Sequence, residues 1–168
     1  AIRAALTRPC EPEKLKEDVL SMRRRIEKEK GSGSPWEVKQ APGGLVDIEF
    51  IAQYLMLLHG PQQPAVYSTT VSVALQNLKD AGFLDAGAAE ALTAASRLYQ
   101  GLTQLLRLAV DEAFRPADAP RGLTELLLRF GDAPDLSNLE ALLVDMQRRT
   151  REIFTNVVGV VAERPISA

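Results

Sequence analysis

The sequence predicts an all-α protein, a helical bundle of about six helices around a buried central helix. Three observations carry that prediction. Leucine and alanine dominate a composition whose aromatic share is 5%, which favours helix over sheet. Apolar residues recur at three- and four-residue spacing in one segment after another, and no alternating run with hairpin signals occurs. Residues 45–58 are apolar almost all the way round, a pattern suited to a helix inside a core rather than on a surface.

The elements follow in order. Residues 1–9 have helical character without a start signal, which reads as a lead-in from a longer protein. Pro12 suits the first position of a helix, and Leu15, Val19, Met22 and Ile26 repeat behind it at helical spacing. Arg23, Arg24 and Arg25 are followed closely by Glu27 and Glu29, so this triplet reads as a solvated face. Residues 31–35, Gly-Ser-Gly-Ser-Pro, end the helix. Trp36 to Gln40 reads as a short extended approach to the Pro42-Gly43-Gly44 turn.

The central helix follows that turn. Asp47 lies in its first turn, where a carboxylate suits the positive end of the helix dipole and can reach back to the Gly44 N–H. Glu49 and Gln53, four apart, form a narrow polar stripe on an otherwise apolar rod. Lys39 can reach over the free N–H groups at the helix start, one way to hold an anion. A lysine and a glycine pair do not make a Walker loop, and Asp47 and Glu49 would repel a bare phosphate.

A third helix is expected to be capped at Ser68, to run through Val71, Leu75 and Leu78, and to stop at Gly82. Asp85 caps a long helix over residues 86–113, with a seam of Leu92, Leu98 or Tyr99, Leu102, Leu105, Leu106 and Ala109. Gly101 in its middle costs about 1 kcal/mol relative to alanine unless something packs close there. Gln104 and Arg107 interrupt its leucine-rich part, and Arg107 either snorkels outward or pairs with a carboxylate such as Glu49. Residues 114–121 read as a loop. Leu123, Leu126, Leu127 and Phe130 form a short helix ending at Gly131. Ser137-Asn138-Leu139-Glu140 has the capping-box pattern. It opens a last helix on Leu139, Leu142 or Leu143, Met146, Ile153, Val157 and Val161, with Arg148, Arg149 and Arg151 as its basic face.

Composition narrows the function. At 168 residues the chain is most simply one domain. A net charge of −2 points to neither nucleic acid nor an anionic membrane. The one cysteine, Cys10, has no internal disulfide partner, and a cytoplasmic location is expected. One histidine, His59, and one cysteine exclude a His/Cys metal cluster, so no metal site is expected. No apolar run reaches the roughly 20 residues of a membrane span. There is no Ser-His-Asp set, and no Gly-Ser followed by an Asp-x-Asp pair that would hold metal ions for phosphoryl transfer. No catalytic residue is assigned.

The string Val38-Lys39-Gln40-Ala41-Pro42-Gly43-Gly44-Leu45-Val46-Asp47-Ile48-Glu49-Phe50, continuing to Gln53-Tyr54-Leu55, closely resembles a signature of glutamine synthetase adenylyltransferase, the bifunctional adenylyltransferase/adenylyl-removing enzyme. Leu6-Thr7-Arg8-Pro9, the stretch from Leu102 to Leu108, Pro120-Arg121-Gly122-Leu123 and Arg151-Glu152-Ile153-Phe154 are similar to that family too. Each half of such an enzyme joins a nucleotidyltransferase domain to a helical domain; one half adds AMP to a tyrosine of glutamine synthetase and the other removes it. The Asp47-Ile48-Glu49-Phe50 form resembles the C-terminal, adenylylating half.

The resemblance implies that residues 1–168 are one helical domain that follows a nucleotidyltransferase domain, with 1–11 as the lead-in. It implies an enzyme regulating nitrogen metabolism that uses ATP and Mg2+ in the parent, with neither held by this chain alone. The upstream domain, glutamine synthetase and the PII signalling protein are the implied partners. Lys39, Gly43, Gly44, Asp47, Glu49 and Gln53 would face the cleft, and Arg107 and Gln104 would serve in pairing. The isolated chain, lacking the family's catalytic motifs, is expected to be inactive. Two alternatives stand beside this: an interaction module for glutamine synthetase or PII without nucleotide contact, and the helical domain of a PII uridylyltransferase.

Overall fold

The computed structural model describes residues 11–30, 33–109 and 114–161. The expected lead-in through Cys10, the Gly31-Ser32 step and the expected helical stretch 110–113 lie outside these residues. The described residues form six α-helices and no strand. They are α1 (Pro12–Lys30), α2 (Leu45–His59), α3 (Val71–Asp80), α4 (Ala86–Ala109), α5 (Arg121–Gly131) and α6 (Leu136–Val157). Short 3-10 turns at Pro64–Val66 and Pro116–Asp118 lie in two of the connections.

As the all-apolar pattern requires, α2 is the hub: it packs against α1, α3, α4 and α6, while α5 closes the far side on α4 and α6. Ile48, Ile51 and Ala52 of α2 are wholly buried, and so are Leu75, Leu78, Leu92, Tyr99, Leu102, Leu127, Leu139, Leu143 and Phe154 from the surrounding helices. Each large side chain so buried contributes about 1.5–3 kcal/mol relative to exposure.

The punctuation is set by local chemistry. After α3, Gly82 takes φ +78°. The Phe83 N–H then bonds back to the Leu78 carbonyl at 2.9 Å, the six-to-one closure of a Schellman stop. Asp85 caps α4 by accepting the Ala88 N–H at 3.0 Å. Gly101 lies where the Phe130 ring of α5 crosses α4, so a side chain there would collide with that ring.

Several boundaries differ from expectation. The α3 N-cap is Thr70, while Ser68 instead builds a turn by accepting the Thr70 N–H. The cap of α6 is Asp135, whose carboxylate accepts the Asn138 N–H at 2.8 Å, so the Ser137–Glu140 box is not the start signal. Those same hydrogen bonds from Asn138 hold the Asp135 carboxyl below the usual range. The end of α5 at Gly131 is as expected, with Asp132 beyond it taking the left-handed turn at φ 49°.

The stripe on α1 is also different. Leu15 is buried and Val19 partly so, but Met22 is 56% exposed and Arg23 is wholly buried in its place. The ridge runs from position 15 through 19 to 23 by steps of four. The arginine triplet is therefore not a uniformly solvated face.

Candidate functional site

The region around the Pro42-Gly43-Gly44 turn holds four of the site residues expected from the sequence, Lys39, Gly43, Gly44 and Asp47. Residues 34–44 are not an extended approach but a chain of turns folded onto the start of α2. Glu37 N–H bonds to the Ser34 carbonyl, Gln40 and Ala41 to Glu37, and Gly44 to Ala41, at 2.8–3.1 Å. The loop then closes over the helix end: Leu45 N–H bonds to the Val38 carbonyl at 2.9 Å and Val46 N–H to the Lys39 carbonyl at 3.1 Å. These donors are already bonded to the chain's own backbone and are not free to hold an anion over the helix start.

Gly43 carries the sharp turn, at φ +80°, and a Cβ on it would overlap the Gln147 backbone of α6. A Cβ on Gly44 would press on the carbonyls of Val38 and Ala41. Both glycines are demanded by close approach. They are buried, as is Asp47, so these three do not face open solvent in this chain.

Asp47 is the centre of a buried ionic cluster. Its Oδ2 accepts the Gly43 N–H at 2.7 Å, one residue before the expected Gly44 partner. Its Oδ1 accepts from Arg23 Nε, and Arg151 Nη1 donates to Oδ2 at 3.0 Å. Arg23 Nη2 also donates to the Gln40 and Ala41 carbonyls, each at 3.1 Å. Arg151 Nη2 lies 2.8 Å from Glu27 Oε1, which is 3.4 Å from Arg23 Nη2.

Two guanidinium groups thus face two carboxylates, and the formal charges cancel. A lone charge so deep would be prohibitively costly; a balanced, hydrogen-bonded set is not. The cluster ties α1, α2 and α6 together and holds the glycine turn through its backbone. Beside it, burial and the Asp47 charge push the Tyr99 phenol up despite the nearby Thr150 hydroxyl.

Arg151 and Arg23 are the residues of this cluster that the sequence pattern does not single out. The sequence pattern groups Arg151 with Arg148 and Arg149 as a basic face. Arg148 and Arg149 are exposed, and Arg148 pairs with Asp145 and Glu152, both at 2.6 Å. Arg151 instead continues the 139–143–147 ridge inward, where Leu139, Leu143 and Gln147 are buried. The available signal was Asp47 itself, since a carboxylate on an all-apolar helix needs a cation nearby.

The remaining candidates lie apart from this cluster. Glu49 is half-buried and Gln53 exposed. Arg107 and Gln104 are exposed on α4, and no ion pair joins Arg107 to Glu49 among the described residues. Arg107 meets Lys39 elsewhere, in an open groove of about 600 Å³ between the glycine loop, the end of α4, residues 114–117 and Glu140 of α6. Trp36 holds one wall, its ring 4.8 Å from that of Phe114 in an edge-on contact and its indole N–H donated to Glu140. Among the described residues no group of three His, Cys, Asp or Glu side chains is placed to hold a metal ion. None of the described helices is long and apolar enough to cross a membrane.

Comparison with known proteins adds a consistent set of likenesses. A protein-family model described as GlnD PII-uridylyltransferase matches residues 13–157. The bifunctional glutamine synthetase adenylyltransferase/adenylyl-removing enzyme of Rhodopseudomonas palustris is 46% identical over 158 residues, 94% of this chain. Proteins of the same description from Xanthobacter autotrophicus and Bradyrhizobium diazoefficiens are each 44% identical, over 96% and 91% of the chain. The chain spans 15–16% of the length of these relatives.

Proposed function

The chain belongs to the GlnD PII-uridylyltransferase family, and on that premise we propose that it is the helical companion domain of a nucleotidyltransferase that adenylylates glutamine synthetase. The reaction moves AMP from ATP to a tyrosine of the target. The observation that carries this reading is the 44–46% identity, over at least 91% of the chain, to enzymes named as glutamine synthetase adenylyltransferases. The Asp47-Ile48-Glu49-Phe50 form supports the adenylylating half.

In this reading the chemistry belongs to the upstream domain. ATP and Mg2+ are assigned to the parent, and no step is routed through this chain. What the chain supplies is a rigid surface. The Arg23–Asp47–Arg151 cluster fixes the glycine loop, and the loop presents Lys39, which is exposed, toward the neighbouring domain. Glu49 and Gln53, on the outer side of α2, are assigned to that domain contact. PII is assigned as a regulatory partner and the cytoplasm as the location.

The description of the family model favours one second reading, the helical domain of a PII uridylyltransferase. A parallel assay of the parent protein separates the two. Labelled ATP with glutamine synthetase should give labelled target, and labelled UTP with PII should not. The opposite pattern would replace the first reading with the second.

A further inference from the structure

Helix α1 is held to the bundle differently from the other five helices. Its 19 residues bury one apolar side chain, Leu15, with Val19 and Leu20 partly covered beside it. The 11 residues of α5 bury two, Leu123 and Leu127. The second buried anchor of α1 is Arg23, whose Nε donates to Asp47 and whose Nη2 donates to the Gln40 and Ala41 carbonyls, each at 3.1 Å. Glu27 adds a partly exposed link to Arg151 of α6 at 2.8 Å. Those two carbonyls belong to the glycine loop. At either side of them the loop is tied to α6: Gln147 Nε2 donates to the Pro35 carbonyl at 2.7 Å, and the Gly43 backbone lies against that of Gln147. The stretch between carries Lys39, and its pinned carbonyls are held from α1. The Ala41 carbonyl also accepts the Gly44 N–H at 2.8 Å, so one acceptor couples α1 to the turn.

We propose that α1 is a strap that locks the glycine loop. Docked, it pins Gln40 and Ala41 through Arg23; lifted, it frees them while the other five helices stay packed. A helix with one fully buried apolar side chain has little burial to lose, which places its opening below unfolding of the whole bundle. The buried ion pair adds limited net hold, because desolvation offsets much of its attraction. Lifting also strands no charge. Arg23 and Glu27 pass into water, water reaches Asp47, and Asp47 keeps Arg151 and the Gly43 N–H as partners. Deleting the Arg23 guanidinium with α1 still in place is a different and costlier change, since Asp47 then stays covered. The device goes beyond the proposed function and stands whichever transferase the parent proves to be.

Amide hydrogen exchange of the whole chain, read residue by residue by NMR, tests this with two variants. Leu15→Ala weakens the strap about 12 Å along the helix axis from Arg23, without touching the ionic cluster. Leu127→Ala weakens the bundle at α5, where Leu127 is wholly buried. Leu15→Ala should speed exchange at residues 16–29 and at Gly44, Leu45 and Val46 by the same factor, at least about tenfold. Leu127→Ala should speed the core amides of Tyr99 and Leu102 while leaving both of those sets unchanged, because the strap opens without the bundle. Circular dichroism verifies folding, and Leu15→Val or Leu127→Val replaces a variant that does not fold. Equal acceleration of residues 16–29 by Leu127→Ala would overturn the proposal, since α1 would then leave only with the whole fold. Acceleration of α1 by Leu15→Ala with no change at Gly44, Leu45 and Val46 would also overturn it, because the loop would not be locked by α1.

Discussion

Arg23, midway along α1, donates its Nε–H to Asp47 in the first turn of α2, and both side chains are wholly buried. The pair joins the helix that leads into the bundle to the helix at its centre, and Arg151 completes it from α6.

Removing both sides of this pair should cost less than the sum of removing each alone. Arg23→Met leaves Asp47 buried with Arg151 as its remaining cation, and an expected loss of about 3–5 kcal/mol follows from an uncompensated buried charge. Asp47→Asn should be comparably costly, because it strands Arg23. The double variant Arg23→Met with Asp47→Asn should lose clearly less than the sum of the two. Urea unfolding of the four proteins measures the coupling. Strict additivity would show that the contact does not hold the fold.

Two glycines with nearly equal φ should respond differently to alanine. Gly82, at φ +78°, has open space where a Cβ would stand, so Gly82→Ala should cost only the left-handed backbone preference, about 1–2 kcal/mol. Gly43, at φ +80°, would drive its Cβ into the Gln147 backbone, so Gly43→Ala should cost at least about 1–3 kcal/mol more. Thermal melts of both variants decide this. Equal losses would mean that α6 gives way freely at Gln147.

The contrast between legible and hidden features follows the same physics. Leu75 and Leu78, Leu92 and Leu102, and Leu139 and Leu143 announce their helices because burial favours apolar residues at helical spacing. Gly82 and Asp85 announce an end and a start because each supplies a local hydrogen-bonding or backbone need. Arg23 was hidden because Met22 offers a greasier residue at nearly the same phase. Its true role depends on Asp47, twenty-four positions away, and such pairing leaves no periodic trace. The cleft candidates Gly43, Gly44 and Asp47 stood out in the string, yet their burial against α1 and α6 is a tertiary fact. Lys39 and Arg107 stand 68 positions apart in the sequence, and only folding places them on one groove.

His59 gives a pH signature that can be isolated, since it is the only histidine. Its ring stacks on Phe83 at 3.9 Å, and burial lowers its pKa below 6.5. The unfolded chain therefore takes up the proton first as pH falls, so this contribution is complete above pH 6.5 and is lost progressively below it. The urea midpoint of the wild-type chain should fall on crossing pH 6.5 by more than that of His59→Gln. Parallel pH profiles would remove the histidine from the account.

Glu49 offers a separation of fold from function. It has no ion pair among the described residues and is half-buried on α2, so Glu49→Gln should change stability by less than about 0.5 kcal/mol. In the parent enzyme, its proposed contact with the neighbouring domain predicts at least a tenfold loss of adenylylation, about 1.4 kcal/mol. Activity normalised to folded protein, measured beside the unfolding midpoint, tests this. Lost stability with normal specific activity would make Glu49 structural.

The central claim is that this chain positions a reaction whose chemistry lies in another domain. The most direct measurement incubates the isolated chain with radiolabelled ATP, Mg2+ and glutamine synthetase, beside the parent protein under the same conditions. The account predicts label on the target with the parent and none above background with the chain alone. Label transferred by the chain alone would contradict it.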